Sequence, residues 1–378
     1  MAEAKTGSGL EGVIATTSRI CYLDGRRGVL AYCGYDIHDL ARSATFEEVC
    51  FLLWHRRLPT RAELGDLQTE LIRHRTLPDP VLRLLRSLPS GDLMDAVRTG
   101  LSMLAHFDPD AGDRSPGAAM RQAIRLTAQT GTLVATLVRL ASGRAPVSPD
   151  PVLGHAGNFL YLLSGERPNA LATRAFDVSL ILHADHELNA STFAARVAAA
   201  TLTDLYSTLV VGVATLKGPL HGGANAAVMK MLLDIGEDAD DARVGDQIRA
   251  MLARKERVPG FGHRVYRTED PRATHLRQMS HDLGRQTGNG RWFEISQRIE
   301  DVMKEETGID ANVDFYSAST YHALGLDLEL FTPIFVASRV AGWTAHVLEQ
   351  YTNNRLIRPR ADYVGPEYPQ IFVPLPDR

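Results

Sequence analysis

Residues 169–217 read NALATRAFDVSLILHADHELNASTFAARVAAATLTDLYSTLVVGVATLK, and the reading of this stretch decides the fold. Alanine and leucine dominate it and no proline interrupts it, which is the composition of successive helices rather than strands. Asn189-Ala190-Ser191-Thr192 breaks the series and offers serine or threonine as cap for the next helix. Ala194 to Ala200 has so little polar surface that it packs on other helices, in a buried pair or at a subunit interface. Upstream, Leu126 to Leu140 has the same character, and Pro151 opens a helix near VLGHAGNFLYLLSG. Earlier still, Thr45 with Glu48 and Thr60 with Glu63 each spell a capping box, with a stop at Pro59 between them.

Downstream, Gly218-Pro219 ends the series, and Gly222-Gly223 makes the segment around His221 a tight loop before a helix that runs to about Ile235. The acidic stretch GEDADDARVGDQ reads as a solvated connection. Pro259-Gly260-Phe261-Gly262 is a second breaker, and Gly325 with Pro333 marks a third before the helical FVASRVAGWTAHVLEQ. Strand signals are almost confined to SRICYLDGRRGVLAY, where an Asp24-Gly25 turn joins two β-prone runs in a hairpin around residues 19–32. The expectation is an almost all-α fold with a small N-terminal β hairpin, its glycine breaks being the places where one group of helices swings against another.

The chain has 378 residues, 44% hydrophobic and 23% charged, enough apolar side chain for a sizeable core. Lysine plus arginine at 41 nearly balance aspartate plus glutamate at 45, so no overall field draws in nucleic acid or an anionic membrane. Any anionic ligand must be held by a local cluster. Cys21, Cys33 and Cys50 are odd in number and lack metal-ligand spacing, which points to a reducing, cytosolic setting. MAEAKTGSGLEG has no apolar segment after its charges, so no secretory leader is expected, and no uncharged stretch reaches the roughly 18 residues of a membrane span.

Four segments can carry chemistry. In HADHE, His183 and His186 share a helix face; they are satisfied helix-end side chains, anion ligands or metal ligands, although the order HxxHE matches neither HExxH nor HxxEH. His221 in GPLHGGAN precedes a helix, whose positive end disfavours imidazolium and holds a neutral hydrogen-bond donor; the alternative is an ordinary turn histidine. His263 follows Val258, Pro259, Gly260, Phe261 and Gly262 and is trailed by Arg264, Arg267 and Arg272. Glycine amides with arginines suit a phosphate or carboxylate ligand, or else a solvated basic helix start, and the third glycine of a dinucleotide fingerprint is missing. Asp314 in NVDFYSA is a helix cap or a shielded general base. Arg339 lies inside an apolar helix and needs an anion, from the protein or a substrate.

Taken in order, GLEGVIATTSRICYLDGRRGVLAYCGYDIHDLA, ATFEEVCFLLWHRRLP, GPLHGGAN, VPGFGHRVY with DPR, NVDFYSA, LFTPIFVASRVAGWTAH and NNRLIRPRADYVG resemble the citrate synthase family over nearly the whole chain. The resemblance implies an all-α, two-domain homodimer in the cytoplasm: residues 1–218 and 324–378 form a large domain, and residues 219–323 an inserted small domain with the catalytic loops. It implies an acyltransferase of the tricarboxylic acid cycle that condenses acetyl-CoA, as cosubstrate, with oxaloacetate, using neither a resident cofactor nor a metal. Asp314 would be the base, His221 the enolate donor and His263 the donor to the keto group. His186, Arg272 and Arg339 would bind oxaloacetate in one subunit, with Arg358 contributed by the other. Arg75, in IRHRTLP, resembles a further substrate arginine of the methylcitrate branch. CoA would lie on Val258, Pro259, Gly260, Phe261 and Gly262, with Arg267 near its phosphates.

GIDANVD departs from the family in lacking a lysine shortly before the aspartate, and the chain has no N-terminal extension like that of NADH-inhibited bacterial relatives, so no inhibition through that site is expected. The alternatives are a 2-methylcitrate synthase using propionyl-CoA, alone or as a second activity, and, from another class, a metal-dependent hydrolase built on HADHE.

Overall fold

The computed structural model describes residues 8–10 and 12–378, so the reading of MAEAKTGSGLEG falls largely outside the described residues. Strands β1 (Cys21–Asp24), β2 (Val29–Tyr32) and β3 (Tyr35–Asp36) form an antiparallel sheet in sequence order. The expected hairpin is therefore present, extended by a third short strand. Its turn starts at Asp24-Gly25 and is four residues long, since Asp24 pairs with Val29. The Asp24 carboxylate fixes that loop by accepting the Arg26 and Arg27 amides, each at 3.0 Å.

The rest is helical. In chain order come α1 (Ile37–Ser43), α2 (Phe46–His55), α3 (Arg61–Arg73), α4 (Asp79–Ser87), α5 (Leu93–Leu104), α6 (Pro116–Ala141), α7 (His155–Ser164), α8 (Ala170–His183), α9 (Ala190–Ala199) and α10 (Leu205–Leu216). Then follow α11 (Ala224–Ile235), α12 (Asp241–Ala253), α13 (Pro271–Thr287), α14 (Gly290–Thr307), α15 (Val313–Ala323) and α16 (Phe331–Thr352). Both capping boxes form as read, Thr45 with Glu48 on α2 and Thr60 with Glu63 on α3. Between α8 and α9 the cap is Asn189, whose side chain accepts the Thr192 amide, which leaves Ser191 inside the helix for another task.

Two expectations shift. The helix placed at Pro151 starts at His155, because its first amide is taken by the Glu47 carboxylate at 2.8 Å, a cap supplied from α2. The acidic stretch read as a connection is half helix: Asp240 caps α12 and Asp241 sits in its first turn, where negative charge is favoured.

Long α6 and α16 pack on each other, and α9, α10 and α2 pack around α16. The alanine-rich face of α9 is spent on this packing, with Ala195 and Ala199 fully buried. Helices α11 to α15 pack chiefly on one another, with α13 against α15 and α12 against α14, and meet the rest through α13 on α8 and α1 and through α11 on α16. One buried hydrophobic cluster nevertheless runs from Ile20 to Val347. No helix among the described residues is long and apolar enough to cross a membrane.

Candidate active site

The turn before α11 presents His221 and is held open for it. A Cβ on Gly222 would collide with the Leu216 carbonyl, so only glycine fits there. Opposite stands Ser191, whose backbone amide donates to His221 Nε2 at 3.3 Å and whose Oγ lies 2.8 Å from the same nitrogen. An amide can only donate, so Nε2 carries the lone pair and the ring proton sits on Nδ1. Ser191 Oγ is placed in turn by Asn189 Oδ1 at 2.8 Å and by Trp343 Nε1, which donates to it at 3.2 Å. Burial, helped by the Arg339 charge, lowers the His221 pKa to about 4. His221 is thereby held neutral by burial and the Arg339 charge, not by the helix end that the sequence suggested, and its Nδ1 proton is left to donate.

His263 is fixed in the opposite sense. Its Nδ1 accepts the amides of Val265 at 3.0 Å and Tyr266 at 3.2 Å, which leaves the proton on Nε2. Burial, then Arg272, lowers its pKa to about 4 as well. Its ring centroid stands 5.2 Å from that of His186, whose Nε2 is 3.2 Å from the Tyr266 hydroxyl. His183 turns elsewhere, with Nδ1 on the Ser179 carbonyl at 2.8 Å. The two histidines of HADHE therefore do not converge on one ion, and among the described residues no group of three or more His, Cys, Asp or Glu side chains is placed to hold a metal.

The His263 loop is laced to the start of α15. Asn312 donates through its amide to Gly260 O at 2.9 Å and through Nδ2 to Gly262 O at 2.9 Å, and the Gly262 amide donates to Asp310 O at 3.1 Å. Gly260, at φ 82°, lies so close to Phe315 and Val228 that a side chain would meet both at 2.8 Å. Asn312, not Asp314, caps α15. Asp314 is thus spared the capping role. Burial pushes its carboxyl up to about 6, against the opposing charges of Arg272 and Arg339. That suits a base that is ionised at neutral pH yet holds a proton well.

Arg272 is buried and grips Asp270 through Nε at 2.9 Å and Nη2 at 2.7 Å, while Asp270 also accepts the Val313 amide at 3.1 Å. Arg339 is buried in α16, donates from Nε to His183 O at 2.7 Å, and lies 4.7 Å from the Phe335 ring centroid. Fields from these two guanidiniums act on His186, and one or both act on His221, His263 and Asp314. The sequence-derived set is thereby drawn together, two residues excepted. Arg75 is buried elsewhere, its Nη1 on the Leu153 carbonyl at 2.7 Å and the Asp150 carbonyl at 3.3 Å. Arg358 is exposed beyond α16. Arg267 is exposed next to the loop, and its amide donates to Gly25 O at 2.8 Å.

Sequence reasoning misses the residues that orient the others. Ser191 reads only as a cap candidate, and Asp270, Asn312 and Trp343 receive no role. The one local signal is the aspartate two positions before Arg272.

Residues 9–360 match the family model described as "Citrate synthase, C-terminal domain". The chain is 52% identical over 372 residues to "Citrate synthase 2" of Bacillus subtilis, covering 98% of each, and 42% identical over 382 residues to "2-methylcitrate synthase" of Shewanella oneidensis, covering 100% of each. It also superposes with a TM-score of 0.91, at 32% identity and 98% coverage of both chains, on a Thermoplasma acidophilum citrate synthase solved as a ternary complex with carboxymethyl coenzyme A and oxaloacetate.

Proposed function

The chain belongs to the citrate synthase family, and from that premise we propose that it condenses acetyl-CoA with oxaloacetate and water to give citrate and CoA. One observation carries the reading: two neutral histidines, fixed by backbone amides in opposite tautomers, share a cluster with a carboxyl raised to about 6. Enolisation followed by carbonyl addition asks for that arrangement.

Asp314 takes a proton from the acetyl methyl group while His221 Nδ1–H donates to the thioester oxygen, where negative charge develops. The enol carbon then attacks the keto carbon of oxaloacetate. A carbon–carbon bond forms, and the keto oxygen receives a proton from His263 Nε2. Water cleaves the resulting citryl thioester, which releases CoA and makes the sequence effectively irreversible. His186, Arg272 and Arg339 are the proposed oxaloacetate ligands, since guanidinium forks match its two carboxylates. The backbone from Val258 to Gly262 is the proposed CoA surface. The glycine breaks support residues 219–323 acting as a unit that swings on the remainder.

Arg358 is proposed to complete the site of a second copy in a homodimer. Residues 353–378 are largely exposed and carry Val364, Ile371 and Phe372, 91%, 90% and 78% exposed, an apolar load that calls for a surface to cover it. Mixing Arg358→Gln with Asp314→Asn chains then restores turnover, because one site of each hybrid is intact. The free thiols of Cys21, Cys33 and Cys50 support a reducing, cytoplasmic setting.

The deciding experiment measures thiol release with oxaloacetate from acetyl-CoA and from propionyl-CoA, as kcat/KM, in wild type and Asp314→Asn. Oxaloacetate-dependent release that Asp314→Asn abolishes is expected; no release from either thioester refutes the function. A preference for propionyl-CoA moves the protein to the methylcitrate branch, a shift of only about 1–3 kcal/mol for one methylene.

A further inference from the structure

The loop between β1 and β2 carries Arg26 and Arg27, to which the chemistry above gives no task. The loop is stiff, because Asp24 Oδ1 accepts both arginine amides at 3.0 Å and Gly28 adopts φ 65°. It is also docked. Gly25 O accepts the Arg267 amide at 2.8 Å, and a Cβ on Gly28 would lie 2.9 Å from Thr268 Cγ2. Arg26, Arg27 and Arg267 thus project from two backbones in direct contact. All three are exposed, and none forms an ion pair among the described residues.

The acids nearby are engaged. Asp24 holds the loop, and Glu269 pairs with Arg277 at 2.6 Å. On the approach to α15, where the sequence lacks a lysine, Asp310 pairs with Lys304 at 2.5 Å, so that side offers an anion no uncompensated cation. In a protein of net charge −4, three uncompensated guanidiniums on adjoining turns are a local site for a polyanion.

We propose that Arg26 and Arg27, together with Arg267, bind the phosphates of the acyl-CoA cosubstrate, an inference that rests on the acyl-CoA reading above. With the thioester at Asp314 and His221, the pantetheine arm follows the Val258 to Gly262 backbone outward, and the phosphate end emerges beside Arg267 and the hairpin tip. The same anion then bridges the N-terminal sheet and the His263 loop. CoA binding thereby tightens the contact that keeps Val265 and Tyr266 against His263.

The test is the full chain carrying Arg26→Gln and Arg27→Gln together, assayed with acetyl-CoA, 3′-dephospho-acetyl-CoA and acetyl-pantetheine at saturating oxaloacetate. KM for acetyl-CoA is expected to rise roughly tenfold, as for the loss of charge-assisted contacts worth one decade. The rise is smaller with the dephospho thioester and absent with acetyl-pantetheine, while kcat and the KM for oxaloacetate hold. The salt dependence of kcat/KM becomes shallower. An unchanged KM for acetyl-CoA, or an equal rise with acetyl-pantetheine, overturns the assignment. Those results leave wild-type turnover intact and so are distinct from a wild type inert towards every acyl thioester, which overturns both the acyl-CoA reading and this one.

Discussion

Gly25 carries no reacting group, yet its replacement by alanine should slow turnover. Its φ is not positive, so alanine meets no backbone strain there, and the effect is purely steric. A Cβ on Gly25 would sit so deep in the Val265 carbonyl that loop and hairpin must part by about an ångström. That displacement breaks the 2.8 Å bond from the Arg267 amide to Gly25 O and carries Val265 with it. The Val265 amide is one of the two donors that fix the His263 tautomer, at 3.0 Å, and a further ångström removes it from hydrogen-bonding range. Overpacking of this kind destabilises by about 1–3 kcal/mol. Misplacing a polarising donor by an ångström costs up to about a hundredfold in rate. The assay is steady-state thiol release with acetyl-CoA and oxaloacetate, beside thermal unfolding. Gly65→Ala is the control, since a Cβ added at Gly65 would meet nothing within 4 Å and the residue lies in α3, where alanine should stabilise by about 0.5–1 kcal/mol. A Gly25→Ala enzyme with wild-type kcat would refute the link from hairpin to His263.

Ser191→Ala removes the Oγ beside His221 and strips Trp343 Nε1 of its acceptor, so kcat should fall about tenfold and stability by about 1–3 kcal/mol, read from turnover and urea unfolding. Arg75→Met should lower stability by a few kcal/mol, because two buried carbonyls lose their donor, and should leave the KM for oxaloacetate unchanged; a selective KM increase would restore Arg75 to the substrate set. Asp177, raised to about 7 by burial and then by Glu47, is protonated in the native state at pH values where the unfolded chain is already ionised. Its contribution is therefore full below about pH 4 and lost as pH rises to 7. Asp177→Asn should flatten that part of the stability–pH curve, by on the order of 2–4 kcal/mol between pH 4 and 8 in chemical unfolding.

What the sequence discloses and what it conceals follow the range of the interactions. Thr45 with Glu48 and Thr60 with Glu63 are legible because both partners of a capping box lie within one turn. The start of α7 is not, since its cap, Glu47, comes from 108 positions away. Helix α12 hides behind a composition shared by loops and by helix N-termini, where aspartates serve both. At the site, glycines and aromatics beside His221, His263 and Asp314 mark those residues locally. Their protonation states depend on amides at Ser191, Val265 and Tyr266, and the first of these is 30 positions from its histidine. Arg75 illustrates the reverse error of range: a local likeness to relatives suggests a ligand, while its actual neighbours, Asp150 and Leu153, are brought up by the fold.

The net charge of −4 leaves open how dianions are gathered, and the two buried guanidiniums answer it differently. Arg272 is paired in place with the Asp270 fork, which outweighs burial and holds it firmly charged, so as a proposed ligand group it offers direction more than net charge. Among the described residues Arg339 has one hydrogen-bond partner, the His183 carbonyl on Nε, and burial draws it down to about 10, still charged at neutral pH. The acid that acts on it, Asp185, is shared with His346 at 3.2 Å. The incompletely balanced charge on Arg339 depresses His221 and opposes the rise of Asp314. In the proposed binding mode a dicarboxylate held by Arg339 offsets that charge and eases its share of the restraint on Asp314, the larger share coming from Arg272. On that proposal the Asp314 carboxylate becomes a stronger base when the electrophile is in place, which ties proton abstraction from the thioester to the presence of the partner that consumes the enol.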